Sequence, residues 1–254
     1  MRRPMDCPRR AIGTPSTGQP GIAELDDAVT DLAELLERVG RGQSLPADGS
    51  VSLLPAPAGR AVAAVLGFTA HHLIAAEVDH GWLTAWLGGM SQPRPAEIGL
   101  PLQPPFLTAL GQQLNARPGG QDVLMVGTAT AAAMAGGLVM EAGNQALLEH
   151  LRAGRALRYR ENVTVATVPG GLLTLGRGLA GRWEISIEVE PAYRGAGIGQ
   201  TLAEQGRALV PPGALLWAQV HPANVASMRA FLAAGYRPVG AEVLFTREPA
   251  AALR

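Results

Sequence analysis

An α/β fold is the class that this sequence predicts, on three observations. Short stretches of alternating polar and apolar residues recur between stretches of helical period. A tight Pro169-Gly170-Gly171 turn separates two apolar runs, which is a hairpin signal. In Glu184–Leu202, EISIEVEPAYRGAGIGQTL, a strand pattern passes through a glycine-rich turn straight into a helical pattern.

In chain order, residues 1–20 are rich in Pro, Ser, Thr, Gly and Arg and read as disordered. From Ile22 to Val39 the spacing of Leu25, Val29, Leu32, Leu35, Leu36 and Val39 is helical, and Gly40 and Gly42 follow as stop signals. Residues 44–50 read as a linker. Ala61–Phe68 and His72–Val78 read as strands, Pro105–Leu114 as a short helix and Val123–Gly127 as a further strand. Five prolines between Gly88 and Pro105 predict irregular chain there. Asn144–Arg158 reads as a helix with Leu147, Leu148, Leu151 and Leu157 on its stripe. Val163–Val168 and Leu172–Leu175 form the hairpin. Trp183–Val189 alternates, with Trp183, Ile185, Ile187 and Val189 on one face and Glu184, Ser186 and Glu188 on the other. A helix over Gly199–Val210 is stopped by Pro211-Pro212-Gly213, and Leu215–Val220 is the next strand. Asn224–Ala234 reads as a helix with Val225, Met228, Phe231 and Leu232 inward, and Val243–Phe245 as the closing strand.

Composition narrows the function. The formal charge is zero and the pI near 7.0, which carries no footprint of a nucleic-acid binder. All 21 basic residues are arginine, so the chain offers no lysine to acetylate or to form a Schiff base. Cys7 is the only cysteine, so no internal disulfide forms. The basic N-terminus holds no apolar run of signal-peptide type, and no segment reads as membrane-spanning. The expectation is a cytoplasmic protein with neither membrane nor nucleic-acid partner. No Cys/His cluster has metal-ligand spacing, so no metal is expected. His71 and His72 are adjacent on a strand and point to opposite faces. His80 and His150 are isolated, and His221 is read as structural.

Glycine inside an element costs roughly 0.5–1 kcal/mol relative to alanine. Gly195, Gly197 and Gly199 together therefore cost about 2 kcal/mol, and something must need bare backbone there. A glycine-rich turn at a helix N-terminus presents unpaired N–H groups and the positive end of the helix dipole. Such a turn binds pyrophosphate, or it merely supplies positive φ. The G-x-G-x-G spacing departs from the G-x-G-x-x-G of a dinucleotide fold, and the absent lysine excludes a P-loop.

The longer pattern V-x-P-x-x-R-G-x-G-x-G covers Val189, Pro191, Arg194, Gly195, Gly197 and Gly199. It resembles the pyrophosphate loop of the GNAT superfamily of acyl-CoA N-acyltransferases, Q/R-x-x-G-x-G/A, met by Arg194, Gly197 and Gly199. A second stretch, HPANVASMRAFLAAGY, resembles that family's following helix, met by Asn224, Ser227, Phe231, Gly235 and Tyr236. The resemblance covers residues 145–250. It implies a mixed sheet flanked by helices, in which the parallel strands ending at Val189 and Val220 splay apart. It implies acetyl-CoA as co-substrate, with pantetheine along Ile187 and Val189. Pyrophosphate would lie on Arg194, Gly195, Ala196, Gly197, Ile198, Gly199 and Gln200, with Asn224 nearby. Asn224 is equally a helix N-cap.

An amine must be neutral to attack a thioester, and one of pKa about 10.4 is neutral in only a few molecules per ten thousand at pH 7. Glu188 and Glu184, on the strand face beside the implied cleft, are the candidate bases, Glu188 first. Both are otherwise solvent-facing residues of a half-buried strand. The family's tyrosine that protonates the leaving thiolate is matched here by Phe231. The expected activity is transfer of acetyl from acetyl-CoA to a primary amine of a small molecule or protein, with the Val189 N–H helping to hold the oxyanion. The alternative is a catalytically weak acyl-CoA-binding regulatory module. Residues 1–45 form an N-terminal segment with one helix and 145–254 the acyltransferase domain. Residues 46–144 form an α/β region without a chemical motif, read as a degenerate second lobe or a substrate-binding domain. Oligomeric state is not legible.

Overall fold

A computed structural model describes residues 31–87, 99–131, 139–140 and 151–247. Helix α1 (Leu32–Gly40) starts where the Asp31 carboxylate accepts the Ala33 N–H, and its apolar stripe Leu32, Leu35, Leu36 and Val39 is buried. The part of the expected helix before residue 31 lies outside the described residues, as do residues 1–20. Gly40 lets α1 press directly on Leu215 and Trp217, leaving no room for a Cβ.

Strands β1 (Val51–Leu54), β2 (Ala63–Phe68) and β3 (His71–Ala75) follow. The chain then forms α2 (His80–Leu87) and α3 (Pro104–Leu114), and α3 opens on prolines whose missing N–H groups cost nothing in a first turn. Next come β4 (Arg117–Pro118), β5 (Asp122–Thr128) and β6 (Val139–Met140). The second half runs through α4 (Leu151–Tyr159), β7 (Glu161–Val168), β8 (Gly171–Arg177) and β9 (Trp183–Val189). It ends with α5 (Ile198–Gly206), β10 (Leu215–Val220), α6 (Val225–Ala233) and β11 (Arg237–Thr246).

The strands form a single mixed sheet in the order β1-β3-β2-β11-β5-β10-β9-β8-β7-β6, with β4 paired to β11. The expected boundary at residue 144 does not divide this sheet. Strand β5, from the half without motifs, lies antiparallel between β10 and β11. Apolar side chains on alternating strand positions make two layers. Leu215 and Trp217 pack with α1, while Leu216 and Ala218 pack with Ile185, Ile187, Leu202 and Phe231 under α5 and α6. A third cluster joins β2, β3 and β11 to α2 and α3 through Val65, Ile74, Phe106 and Phe245.

Several expectations change. Strand β1 and helix α2 were not anticipated, since VSLL is too short for a period and HGWLTAWL is apolar on most sides. Helix α5 ends at Gly206 rather than running to Val210. Val225 and Leu232, expected inward, are exposed, and only Phe231 of that stripe is fully buried. Leu157, expected on the buried stripe of its helix, is also exposed, and Ala156 takes the inward position. Residues 144–150 lie outside the described residues.

His71 and His72 do take opposite faces. The His71 ring lies 3.0 Å from Asp48 and 3.0 Å from the Ser52 hydroxyl, which ties β1 and the preceding turn to β3. His72 is equally buried, packs beside Gly67 and Leu102, and its Nδ1 has no hydrogen-bond partner. Burial, with His71 adding repulsion, pushes the His72 imidazole down to about 4. A depressed histidine pKa stabilises the fold above the unfolded value near 6.5, and that contribution is lost as pH falls from there to about 4. His72→Leu should therefore flatten the stability profile between these pH values by on the order of 3 kcal/mol, read from urea denaturation midpoints across the range. An unchanged acid limb would refute a neutral, buried His72.

Candidate active site

The site begins where a parallel strand pair stops pairing. β9 and β10 are in register only at Trp183–Leu216 and Glu184–Trp217, and beyond these the two strands diverge. On its other edge β9 stays paired with β8 up to Gly171–Val189, and the Glu190 N–H reaches the Gly170 carbonyl. N–H groups alternate in direction along a strand, so those of Ile187 and Val189 point into the gap. The splay thus leaves an unused sheet edge at the residues expected to pair with a pantetheine arm.

Past Val189 the chain makes the turn at 190–197. Gly195 and Gly197 adopt φ of +84° and +81°, and a Cβ at either would meet nothing within 4 Å. Both requirements weighed from the sequence are therefore present: a left-handed backbone and open space over it. Gly197 is the N-cap of α5 and offers no side chain, so the first N–H groups of that helix have no side-chain cap. Gly199 serves packing instead, because its Cβ would lie 3.3 Å from that of Ala230 on α6. The Arg194 Nε donates to the Val189 carbonyl at 3.3 Å, folding the turn back on the strand end.

These groups converge on one cavity of about 630 Å³. Its walls include Ile187, Val189, Arg194, Gly195, Gly197, Ile198, Gly199, Gln200 and Asn224, which is every expected cofactor residue except Ala196, and also the candidate base Glu188. The sequence did not single out Arg229 of α6, which adds a second cation to the same wall. The cradle fits a pyrophosphate: bare backbone, a helix N-terminus and two guanidinium groups. The Asn224 side chain accepts the Ser227 N–H at 3.1 Å, so it caps α6, and it also borders the cavity. The two readings of Asn224 are compatible.

A second, smaller cavity of about 150 Å³ shares Ile187, Asn224 and Ser227 with the first. Its wall is polar and includes Asp122, Tyr159, Arg160, Gln219, His221 and Glu242. None of these was a candidate from the sequence. They lie on four different elements or their ends, and no spacing connects them. His221, read as structural, borders this cavity while its Nδ1 accepts the Ala223 N–H at 3.2 Å.

Beneath this second cavity lies a chain of buried charges. The Arg160 Nε donates to Glu184 at 3.0 Å, Nη1 to Thr174 and Ser186 at 3.3 and 3.2 Å, and Nη2 to the Ile185 carbonyl and Gln219 at 3.4 and 3.3 Å. Ser186 is on β9 and Gln219 on β10, so one guanidinium spans the gap just past the last paired residues. Glu184 also accepts from the Arg182 Nε at 2.8 Å and the Leu179 N–H at 3.2 Å, and Arg182 reaches Glu242 at 2.8 Å. Burial pushes the Glu184 carboxyl upward, but Arg182 and Arg160 outweigh it and hold it below the usual carboxylate range. Glu242 moves the other way. Its burial and the nearby Glu184 charge raise it more than Arg182 lowers it.

The two candidate bases therefore part. Glu188 is half-buried and borders the larger cavity beside Ile187 and Val189. Glu184 is 1% exposed and borders neither cavity, so it is neither a solvent-facing residue nor placed to take a proton from an acceptor. The periodicity put it on the right face, but only the fold supplies its arginines. Phe231 is buried edge-on against Tyr236 with ring centroids 4.9 Å apart. The Tyr236 hydroxyl donates to the Ala203 carbonyl at 3.1 Å, away from the gap, and burial raises its pKa.

No protein-family model and no curated protein matches this sequence. Among solved structures, the chain is similar to a GCN5-related N-acetyltransferase from Kribbella flavida, with 14% identity over 58% of this chain and 66% of that one, at a TM-score of 0.34. It is also similar to a GNAT-family acetyltransferase from Novosphingobium aromaticivorans, with 16% identity over 52% of this chain and 66% of the other, at 0.39. A GNAT-family acetyltransferase from Colwellia psychrerythraea shares 14% identity over 59% and 62% of the two chains, at 0.33. This chain thus spans just under two thirds of the length of each.

The two carboxylates should separate in a stability measurement. Glu184→Gln leaves two buried guanidinium groups short of a counter-charge and should cost about 3–5 kcal/mol. Glu188→Gln should change stability by less than about 1 kcal/mol. Equal losses in guanidinium denaturation would contradict this division.

Proposed function

We propose that this chain is an acetyl-CoA-dependent N-acetyltransferase acting on a primary amine. One observation carries the reading: the open edge of β9 and the uncapped glycine turn of α5 border the same cavity, which a second polar cavity joins at Ile187, Asn224 and Ser227. In this reading the N–H groups of Ile187 and Val189 orient the pantetheine arm, and the residue 195–200 backbone with Arg194 holds the pyrophosphate. The smaller cavity admits the amine. Acetyl-CoA supplies an activated acyl carbon when bound, and the chain supplies alignment and a route for the proton.

The proton leaves the attacking nitrogen as the N–C bond forms, and Glu188 takes it directly or through a water. Removal of the base should cost about 100-fold or more in kcat. In this reading the Val189 N–H, directed into the gap, helps to hold the oxyanion. Phe231 cannot protonate the departing sulfur. Ser227, which borders both cavities, is the residue we assign to that step.

Two measurements test the reading. Calorimetric titration with acetyl-CoA should show micromolar binding by the wild type. Gly197→Glu, which puts a carboxylate at the anion cradle, should abolish it while the circular dichroism spectrum is unchanged. Absence of binding by intact wild type would overturn the cofactor assignment. In steady-state assays Glu188→Gln should lower kcat with little change in the dissociation constant for acetyl-CoA. A variant with wild-type kcat would remove Glu188 as the base. Binding without transfer to any amine would favour a regulatory acyl-CoA-binding module.

A further inference from the structure

A third cavity, of about 410 Å³, lies at the end of β9 and β10 opposite the splay, beside α1. Its size is that of a small-molecule site, and Leu36, Arg177, Arg182, Trp183, Leu215 and Trp217 border it. Arg182 is 8% exposed and directs two of its three nitrogens to carboxylates, Nε to Glu184 and Nη2 to Glu242. Its Nη1 is buried and has no acceptor. A buried charged donor without an acceptor is costly and calls for a partner that the fold does not supply. Glu184 and Glu242 face the other nitrogens, so the cavity is the side from which an acceptor can reach Arg182. Arg177 stands opposite Trp183 in the β8–β9 register, and its guanidinium lies over that ring at 3.8 Å. A guanidinium stacked by its face keeps its N–H edge for acceptors in its own plane. Arg177 gives one N–H to the Gly181 carbonyl at 2.9 Å and has no carboxylate partner among the described residues. The Arg182 guanidinium lies 5.2 Å from the Trp217 ring centroid. Glu37 also borders the cavity, but it is paired with Arg41 at 2.7 Å. The wall therefore combines donors from two arginines with two indole rings and an apolar part at Leu36, Ala180 and Leu215.

We infer that this cavity is a binding site for a small aromatic carboxylate. Its two oxygens have lone pairs enough to accept from both Arg177 and the Arg182 Nη1, and its ring packs among the indoles and the apolar wall. Each part of the ligand answers a feature of the cavity. A wholly polar anion such as phosphate would leave Leu36, Ala180 and Leu215 against solvent, and an amine would meet two guanidinium groups of its own sign. Aromatic rings gain from one another beyond the area they bury, which favours a ring over an aliphatic body beside Trp183 and Trp217. The cavity shares no wall residue with the other two, so this site stands independently of the acetyltransferase reading.

Calorimetric titration of the full-length protein with indole-3-carboxylate tests the site. The ligand should bind at a single site. Indole-3-carboxamide, which keeps the ring and loses the charge, should bind about 10- to 100-fold more weakly, the range that a hydrogen bond between charged groups supports. Cyclohexanecarboxylate, which keeps the charge and loses the aromatic ring, should be weaker by about 2- to 10-fold. Arg177→Met, which keeps an apolar stem and removes the cation, should weaken binding by about tenfold or more. Ala33→Phe fills the cavity from α1 with both arginines in place and should abolish binding, so the test stands even if the arginine variant does not fold. Binding that survives in Ala33→Phe and is displaced by acetyl-CoA would put the ligand in the cradle at Arg194 and Arg229 and overturn the inference. Equal affinity for the carboxamide or for cyclohexanecarboxylate, or no binding by folded wild type at millimolar ligand, would overturn it as well.

Discussion

Arg160, Arg182, Glu184 and Glu242 are each less than a tenth exposed, and none can be buried alone without a penalty of several kcal/mol. The fold answers by linking them in one chain across β9, β10 and β11, with Gln219 joining its two ends: its Nε2 donates to Glu242 at 3.2 Å and its Oε1 accepts from Arg160. Gly178 belongs to the same arrangement, because any side chain there would overlap the Glu184 carboxylate. Much else follows from this cluster. A guanidinium bonded to Ser186 on one strand and Gln219 on the other occupies the place where further parallel pairing would close the sheet. It also accounts for the Ile185 carbonyl, which has lost its partner on β10. The gap that exposes the N–H groups of Ile187 and Val189 is thus held open by charge from below and bounded by the glycine turn from above.

The single sheet gives the half of the chain without motifs a definite role. β5 stands between β10 and β11 and fixes their separation. It carries Asp122 to the polar cavity, and the preceding Gly119 and Gly120 complete that wall. The two cavities accordingly have different origins. The larger is built almost entirely from one continuous stretch, β9 through α5, with α6 closing it. The smaller is assembled from β5, the end of α4, β9, β10, α6 and β11. A cavity made from local sequence and a cavity made from distant pieces can change independently.

Local chemistry was legible in advance wherever a residue acts through its neighbours in the chain. Glycines at positive φ, a proline-glycine hairpin, the strict alternation of Trp183–Val189 and an asparagine N-cap all depend on interactions within a few residues. The strand at 183–189 and the turn after it were therefore readable, and all but one of the residues expected to hold a cofactor border one cavity. The inward face of α6 was not: Val225 and Leu232 are apolar at helical spacing, but what covers that face is set by the width of the neighbouring sheet. Glu184 shows the same limit. Alternation gave its face and said nothing of Arg160, 24 positions away in the chain, or of Arg182.

By itself, then, the sequence determined the elements around the glycine turn, the left-handed backbone at Gly195 and Gly197, and the neutral, lysine-free composition. Tertiary structure alone decided that Glu188 borders a cavity while Glu184 anchors arginines. It also decided that β5 enters the middle of the sheet and that Asp122 meets Glu242. The physical reason is range. Backbone conformation and capping are settled over one turn or one strand. The pairing of buried charges, and the strand order that brings them together, depend on contacts between residues as far apart as 122 and 242, which no local period records.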